Sequence, residues 1–228
     1  MRHLLAVAVA LLGSTLVLPV SAGRPLATED AGVLAPRDCE VESFLARVTG
    51  QGPDNESALS VQLGCGIGHR TQLSVGVVGA RTGGVDHPTS LLLSGKTALV
   101  ESSDDGPGLV LAWQWAGTRR TDTGLRRDAS SLAAVASLPW GGGLLSANLG
   151  WARSHTGRQD STLWALAYER PVATGLDIGA EVYGDDRRPA WLGVGVRRQV
   201  TEGFFVDASF ALQRGGARAA MLGLEIGF

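Results

Sequence analysis

Over its last quarter the chain alternates apolar and polar side chains with a period of two. One set of positions reads Leu176, Ile178, Ala180, Val182; then Ala190, Leu192, Val194, Val196; then Phe204, Val206, Ala208, Phe210, Leu212; then Ala220, Leu222, Leu224, Ile226, Phe228. Every one is apolar. The positions between them hold Asp177, Glu181, Arg197, Asp207 and Glu225, with Gly179, Gly193, Gly195, Gly223 and Gly227. Successive side chains on a strand point to opposite faces, so this pattern predicts four strands with one apolar and one polar face. Weaker versions of the pattern predict eight more, near 39–48, 57–67, 70–80, 90–100, 108–117, 129–138, 143–153 and 161–170. The fourth of these has three consecutive leucines, Leu91, Leu92 and Leu93. Lys96 sets its register by taking the polar side and leaving Leu91, Leu93 and Leu99 on the other.

The connections fall into two kinds. "IGHR", "PWGG", "PVATG" and "VTEG" are short turns. "GQGPDNES", "RTGGVDHPTS", "GTRRTDTGLRRD", "RSHTGRQDS", "GDDRRP" and "RGGAR" are more charged and often longer, and they alternate with the first kind. "ESSDDGPG", on the short-turn side, is the long exception. Short turns at one end and longer loops at the other are the habit of a barrel that spans an outer membrane. The predicted fold class is therefore all-β: a closed antiparallel transmembrane β-barrel of about 12 strands, after a cleaved signal peptide.

A soluble sandwich also alternates, and two observations tilt the choice. The polar face is rich in charge and glycine, which suits a wet or narrow lumen better than a dry core. Aromatic residues gather near both predicted strand ends. Trp115, Trp151 and Trp164 lie toward the longer loops; Tyr168, Phe204 and Phe228 lie toward the short turns, with Trp140 in one of them. Amphipathic rings favour the two headgroup levels of a bilayer. The apolar set carries no charge in mid-strand, where an arginine or lysine would cost roughly 2–4 kcal/mol at the bilayer midplane. Closure would remove every unpaired strand edge, as a hydrocarbon solvent requires.

Composition agrees. The 228 residues include 32 glycines and only 18% charged side chains, with a mean hydropathy of +0.11. A formal charge of −2 and a pI near 6.1 give no electrostatic footprint for nucleic acid. The start, "MRHLLAVAVALLGSTLVLPVSAG", has an early arginine, an apolar run, and small residues before a cut after Ala22. It reads as a signal peptide. Residues 1–22 are thus expected to be removed, 23–38 to form a periplasmic lead or a lumen plug, and 39–228 to form the barrel.

The two cysteines test the register. A hairpin centred on Gly52 places Cys39 opposite Cys65, Val41 opposite Leu63, Ser43 opposite Val61 and Leu45 opposite Leu59. Directly opposed positions bring Cβ atoms near bonding distance. A Cys39–Cys65 disulfide is predicted, as an oxidising compartment permits.

The same register gives a lumen-lining set: Glu40, Glu42, Ser60, Gln62, Lys96, Gln114, Ser146, Asn148, Glu169, Asp177, Glu181, Arg197, Asp207 and Glu225. Acids outnumber bases, so an open channel would favour cations. An internal network of ion pairs in a filled barrel is the alternative. The loop side is rich in arginine, namely Arg119, Arg120, Arg126, Arg127, Arg153, Arg158, Arg187, Arg188, Arg214 and Arg218. Guanidinium groups suit lipopolysaccharide phosphates, or are ordinary solvated charge. Catalytic motifs such as GxSxG or HExxH do not occur. His155 with Asp185 or Asp186 at the outer rim is the nearest approach to an acid–histidine pair, and a hydrolase is the least favoured reading. No enzyme activity, cofactor or metal is expected.

Two stretches resemble known proteins. The alternating apolar end closing on Phe228 resembles the C-terminal signature of bacterial outer-membrane proteins, which implies recognition by the outer-membrane assembly machinery. Arg24, Pro25, Leu26, Thr28, Glu29, Asp30 and Ala31, followed by an acidic first strand, resemble the N-terminus of the outer-membrane transporter family of the phenol-degradation meta-pathway type. That resemblance implies a bacterial outer-membrane barrel passing a small hydrophobic or aromatic solute. The expected function is a channel or transporter for a small solute, with a non-conducting structural barrel as the alternative. The expected partners are outer-membrane lipid, lipopolysaccharide and the solute, with no nucleic acid.

Overall fold

The structure, a computed structural model, describes residues 25–50, 55–87, 89–103, 106–120 and 124–228. The expected signal peptide lies outside the described residues.

Among the described residues thirteen strands form one sheet: β1 Cys39–Thr49, β2 Glu56–Gly68, β3 Thr71–Thr82, β4 Val85–Asp86, β5 Ser90–Val100, β6 Gly108–Arg120, β7 Gly124–Trp140, β8 Gly143–Ser154, β9 Gln159–Ala173, β10 Leu176–Asp185, β11 Trp191–Thr201, β12 Phe204–Gln213 and β13 Arg218–Gly227. β4 is a two-residue ribbon folded back on the end of β3. The other twelve pair in sequence order, all antiparallel, and β1 pairs with both β2 and β13. The sheet therefore closes into a twelve-stranded barrel with no free edge. At the seam Cys39 and Phe228 exchange both backbone hydrogen bonds, at 2.9 and 2.8 Å.

Orientation follows from exposure. Leu149, Leu192, Val194 and Leu222 are 58–66% exposed, while Glu42 and Asp207 are each 4% exposed. The apolar face points outward around the barrel and the polar face points in. Trp140 and Tyr168 meet edge to face at 5.7 Å beside the β7–β8 turn, where the Tyr168 hydroxyl donates to the carbonyls of Trp140 and Gly141. Gly141 and Gly142 both take positive φ, as a two-residue hairpin turn compatible with the strand twist demands.

The β1–β2 register pairs Cys39 with Cys65, Val41 with Leu63, Ser43 with Val61 and Leu45 with Leu59, and the disulfide is formed. One difference from the pattern concerns β6 and β7. Their ladder runs on through Arg119↔Leu125 and Arg120↔Gly124, past the alternation that bounds the predicted segments. A bulge at Ala116/Gly117 resets the register there. Backbone pairing continues where the side chains have stopped alternating, because the ladder needs only the backbone donors and acceptors.

Residues 25–34 lie inside the barrel, and the exposed residues 35–38 lead from them to β1. Leu26, Thr28 and Ala31 are each 1% exposed. The segment touches the β10–β11 wall near Gly179 and Gly195, crosses to β6 and β7, and reaches β2, where Pro36 bridges Gly66. Ala31 packs with Ala98 of β5, Val110 of β6 and Val135 of β7 in a small apolar cluster.

Candidate functional site

The interior has three parts: a charged lower wall, the crossing N-terminal segment, and a cavity above it. The lower wall is built where the first and last strands meet. Glu40 and Glu42 come from β1, Glu225 from β13, Asp207 from β12 and Arg197 from β11. Arg197 pairs with Glu225 and, at 3.5 Å, with Asp207, and its guanidinium lies 4.4 Å over the Phe205 ring. Asp177 stands opposite Arg197 in the β10–β11 ladder. Glu40 accepts a hydrogen bond from Gln72 Nε2 at 2.9 Å.

The segment is held by polar contacts to the wall. Glu181 of β10 accepts from the backbone N–H of Ala27 at 3.0 Å, and from the N–H and hydroxyl of Thr28, both at 2.8 Å. Three donors meet on one carboxylate, which satisfies two backbone N–H groups that lie outside the strand ladder and one hydroxyl. Lys96 of β5 reaches Glu29 at 3.1 Å. With its amide oriented to satisfy both ends, Asn148 of β8 donates to the Glu29 carbonyl at 2.9 Å and accepts from the Glu29 N–H at 2.7 Å. Ser137 Oγ accepts from the Ala31 N–H at 2.9 Å and bonds Ser146 Oγ at 2.9 Å. Further on, Gln72 Oε1 accepts from the Leu34 N–H at 3.2 Å.

Above the segment is a cavity of about 150 Å³. Its floor includes Ala27, Glu29 and Lys96; its wall includes Gln62, Gln114 and Ala165. Toward the loop end it meets Tyr183 and Trp191, stacked at 6.2 Å with an 8° angle between the rings. Asp185 and Arg188 stand at the rim, joined by a two-nitrogen contact at 2.7 and 2.9 Å. The cavity thus combines flat aromatic surface with a few fixed polar groups, the usual make-up of a small-molecule site.

Of the remaining sequence-selected residues, Ser60 and Glu169 are buried, on β2 and β9. His155 does not join Asp185 or Asp186. It bonds Ser130 Oγ at 3.1 Å, whereas Asp185 holds Arg188 and Asp186 accepts from the Thr162 N–H. The His155 and Asp186 positions are set by separate turns, so the rim offers no acid–histidine pair of that kind. Sequence reasoning passed over Gln72, Ser74, Tyr183 and Trp191. All four sit on the inward register of β3, β10 and β11, and simple extension of the period from Glu181 and Gly193 reaches Tyr183 and Trp191.

Solved structures resemble this architecture. The COG4313 outer membrane channel from Pseudomonas putida F1 superposes with a TM-score of 0.62 at 10% identity, covering 88% of this chain and 98% of that one. The KdgM porin gives 0.59 at 9% identity, over 83% and 99%. The fold is that of outer-membrane β-barrel channels. It is not confined to them: the translocator domain of the autotransporter NalP from Neisseria meningitidis gives 0.55 at 11% identity, over 84% and 88%. At these identities the likeness speaks for the fold alone. No family model matches the sequence, and no curated relative matches it.

Proposed function

We propose that the protein is a bacterial outer-membrane channel for a small solute of apolar or aromatic character, narrowed by its own N-terminal segment. The observation that carries this reading is the cavity above residues 27–29, which pairs the stacked Tyr183 and Trp191 with polar groups at floor and rim. A solute entering from the loop end would pass the Asp185–Arg188 rim and then meet this aromatic surface. The outward apolar face and the two sets of aromatic residues support a membrane setting. The resemblance of residues 24–31 to the phenol-degradation transporter type points to the same solute class. Arg126, Arg127 and Arg158 are exposed at the loop end and would meet lipopolysaccharide phosphates there.

One observation favours a second reading, a barrel that conducts nothing: the segment fills much of the lower lumen. Planar-bilayer conductance and uptake of a small phenol into reconstituted vesicles separate the two. The channel reading expects measurable uptake and small, discrete currents. Neither current nor uptake from correctly folded, heat-modifiable protein would replace it with the structural barrel.

A further inference from the structure

The seam where the barrel closes contains an electrostatic conflict. Glu42 of β1 is paired directly with Glu225 of β13. Like charges directly opposite each other across an antiparallel pair are destabilising, and these face the interior. Glu40 lies on the same face of β1, two residues away. Carboxylate oxygens from Glu40, Glu42 and Glu225 all lie within 4.8 Å of one another.

Among the described residues, the neighbouring donors do not resolve the conflict. Arg197 is engaged by Glu225 and Asp207, Gln72 serves Glu40, and Lys96 is held by Glu29. Both Glu42 oxygens are buried and make no hydrogen bond. On the other side of Glu42, its partner in the β1–β2 ladder is Gln62. Gln62 is 5% exposed, and its side-chain oxygen is also buried with no hydrogen bond. Buried oxygen acceptors gathered on neighbouring strands, without a hydrogen-bond donor among the described residues, are what the coordination shell of a cation presents. Leaving such groups buried and unpaired is costly.

We propose that the closing seam binds a divalent cation of the calcium class, held by the carboxylates of Glu40, Glu42 and Glu225 with the Gln62 amide oxygen. All four donors are hard oxygens, the ligand set calcium prefers. Calcium–oxygen bonds of roughly 2.3–2.6 Å let ligands stand up to about 5 Å apart across the ion, which accommodates the observed spread. Arg197 remains on the far side of Glu225 as a partial counter-charge. The ion would tie β1, β2 and β13 together beside the Cys39–Cys65 disulfide, at the point where the first and last strands must find each other.

The test uses the full mature chain, folded in detergent and stripped with chelator. Equilibrium dialysis with radioactive calcium at about 1 mM, an extracellular-type affinity range, is expected to show one ion bound per chain. The unfolding temperature is expected to rise with calcium and to fall again with chelator. Glu42→Gln should lose the bound ion and the calcium-dependent rise. Glu202→Gln, in the β11–β12 turn, should keep both. Direct binding to the unaltered chain keeps the test valid if Glu42→Gln fails to fold. No bound calcium in the native chain would overturn the proposal, as would Glu42→Gln that still binds it. An unfolding temperature indifferent to calcium but raised by acid would assign the seam to a shared proton instead, and would also overturn it. These outcomes are independent of conductance, so the failure of the channel reading would leave the seam site standing.

Discussion

Replacing Glu181 with alanine should release the N-terminal segment from the lumen. The carboxylate receives three hydrogen bonds from Ala27 and Thr28 at 2.8–3.0 Å. A hydrogen bond to a charged group contributes about 1.5–3 kcal/mol net, and water entering the vacated space recovers part of that. The total loss is about 3 kcal/mol, near a hundredfold in the open-to-seated ratio at 1.4 kcal/mol per decade. Leu26, 1% exposed, is the reporter. In a Leu26→Cys background, the rate of maleimide labelling follows the fraction of time the segment is out. Adding Glu181→Ala should raise that rate roughly a hundredfold and increase single-channel conductance in parallel. A labelling rate within about threefold of the parent, with unchanged conductance, would show that Glu181 does not hold the segment, and the reasoning from its three donors would fail.

Two further outcomes test the barrel itself. Val194→Arg places a cation on the outward face of β11, where Val194 is 58% exposed; it should destabilise the bilayer-folded barrel by about 2–4 kcal/mol, read from denaturant titration, and a change under 0.5 kcal/mol would deny that this face meets lipid. Replacing Cys39 and Cys65 together with serine opens a link spanning 26 residues; loop-closure entropy predicts a loss of about 3–4 kcal/mol in the same titration, against a reduced wild-type control that should match the double variant.

Much of this fold was legible because its rule is local. A period of two names a strand and its faces without knowledge of any partner, and Phe204 to Leu212 reads the same in the sequence and in β12. The cysteines added a long-range constraint, since one register alone sets Cys39 against Cys65 with apolar residues following in step. The course of residues 25–38 was not legible in the same way. They have no periodicity, and their place is decided by contacts such as Ala31 to Ser137 and Leu34 to Gln72, far apart along the chain. The outer part of the β6–β7 hairpin was missed for a related reason: above the apolar band the ladder persists while the side-chain signal vanishes.

The inner-face glycines connect these two kinds of information. Taken alone, Gly66, Gly108, Gly179 and Gly195 weaken their strands, since glycine offers nothing to pack and raises the entropic cost of order. Beside the segment each has a reason. A Cβ on Gly195 would stand 2.8 Å from Pro25 Cβ, one on Gly179 would stand 2.8 Å from Leu26 Cδ1, and one on Gly108 would stand 2.8 Å from Ala31 Cβ. On Gly66 it would strike the carbonyl oxygens of Leu34 and Ala35. Four gaps in the wall, on strands from opposite sides of the barrel, follow one path of the chain. Such a cast is hard to reconcile with a segment that merely drifts into an open pore. It fits a lumen whose closed form is part of the folded state, so that any conduction must begin by breaking named contacts, foremost those at Glu181.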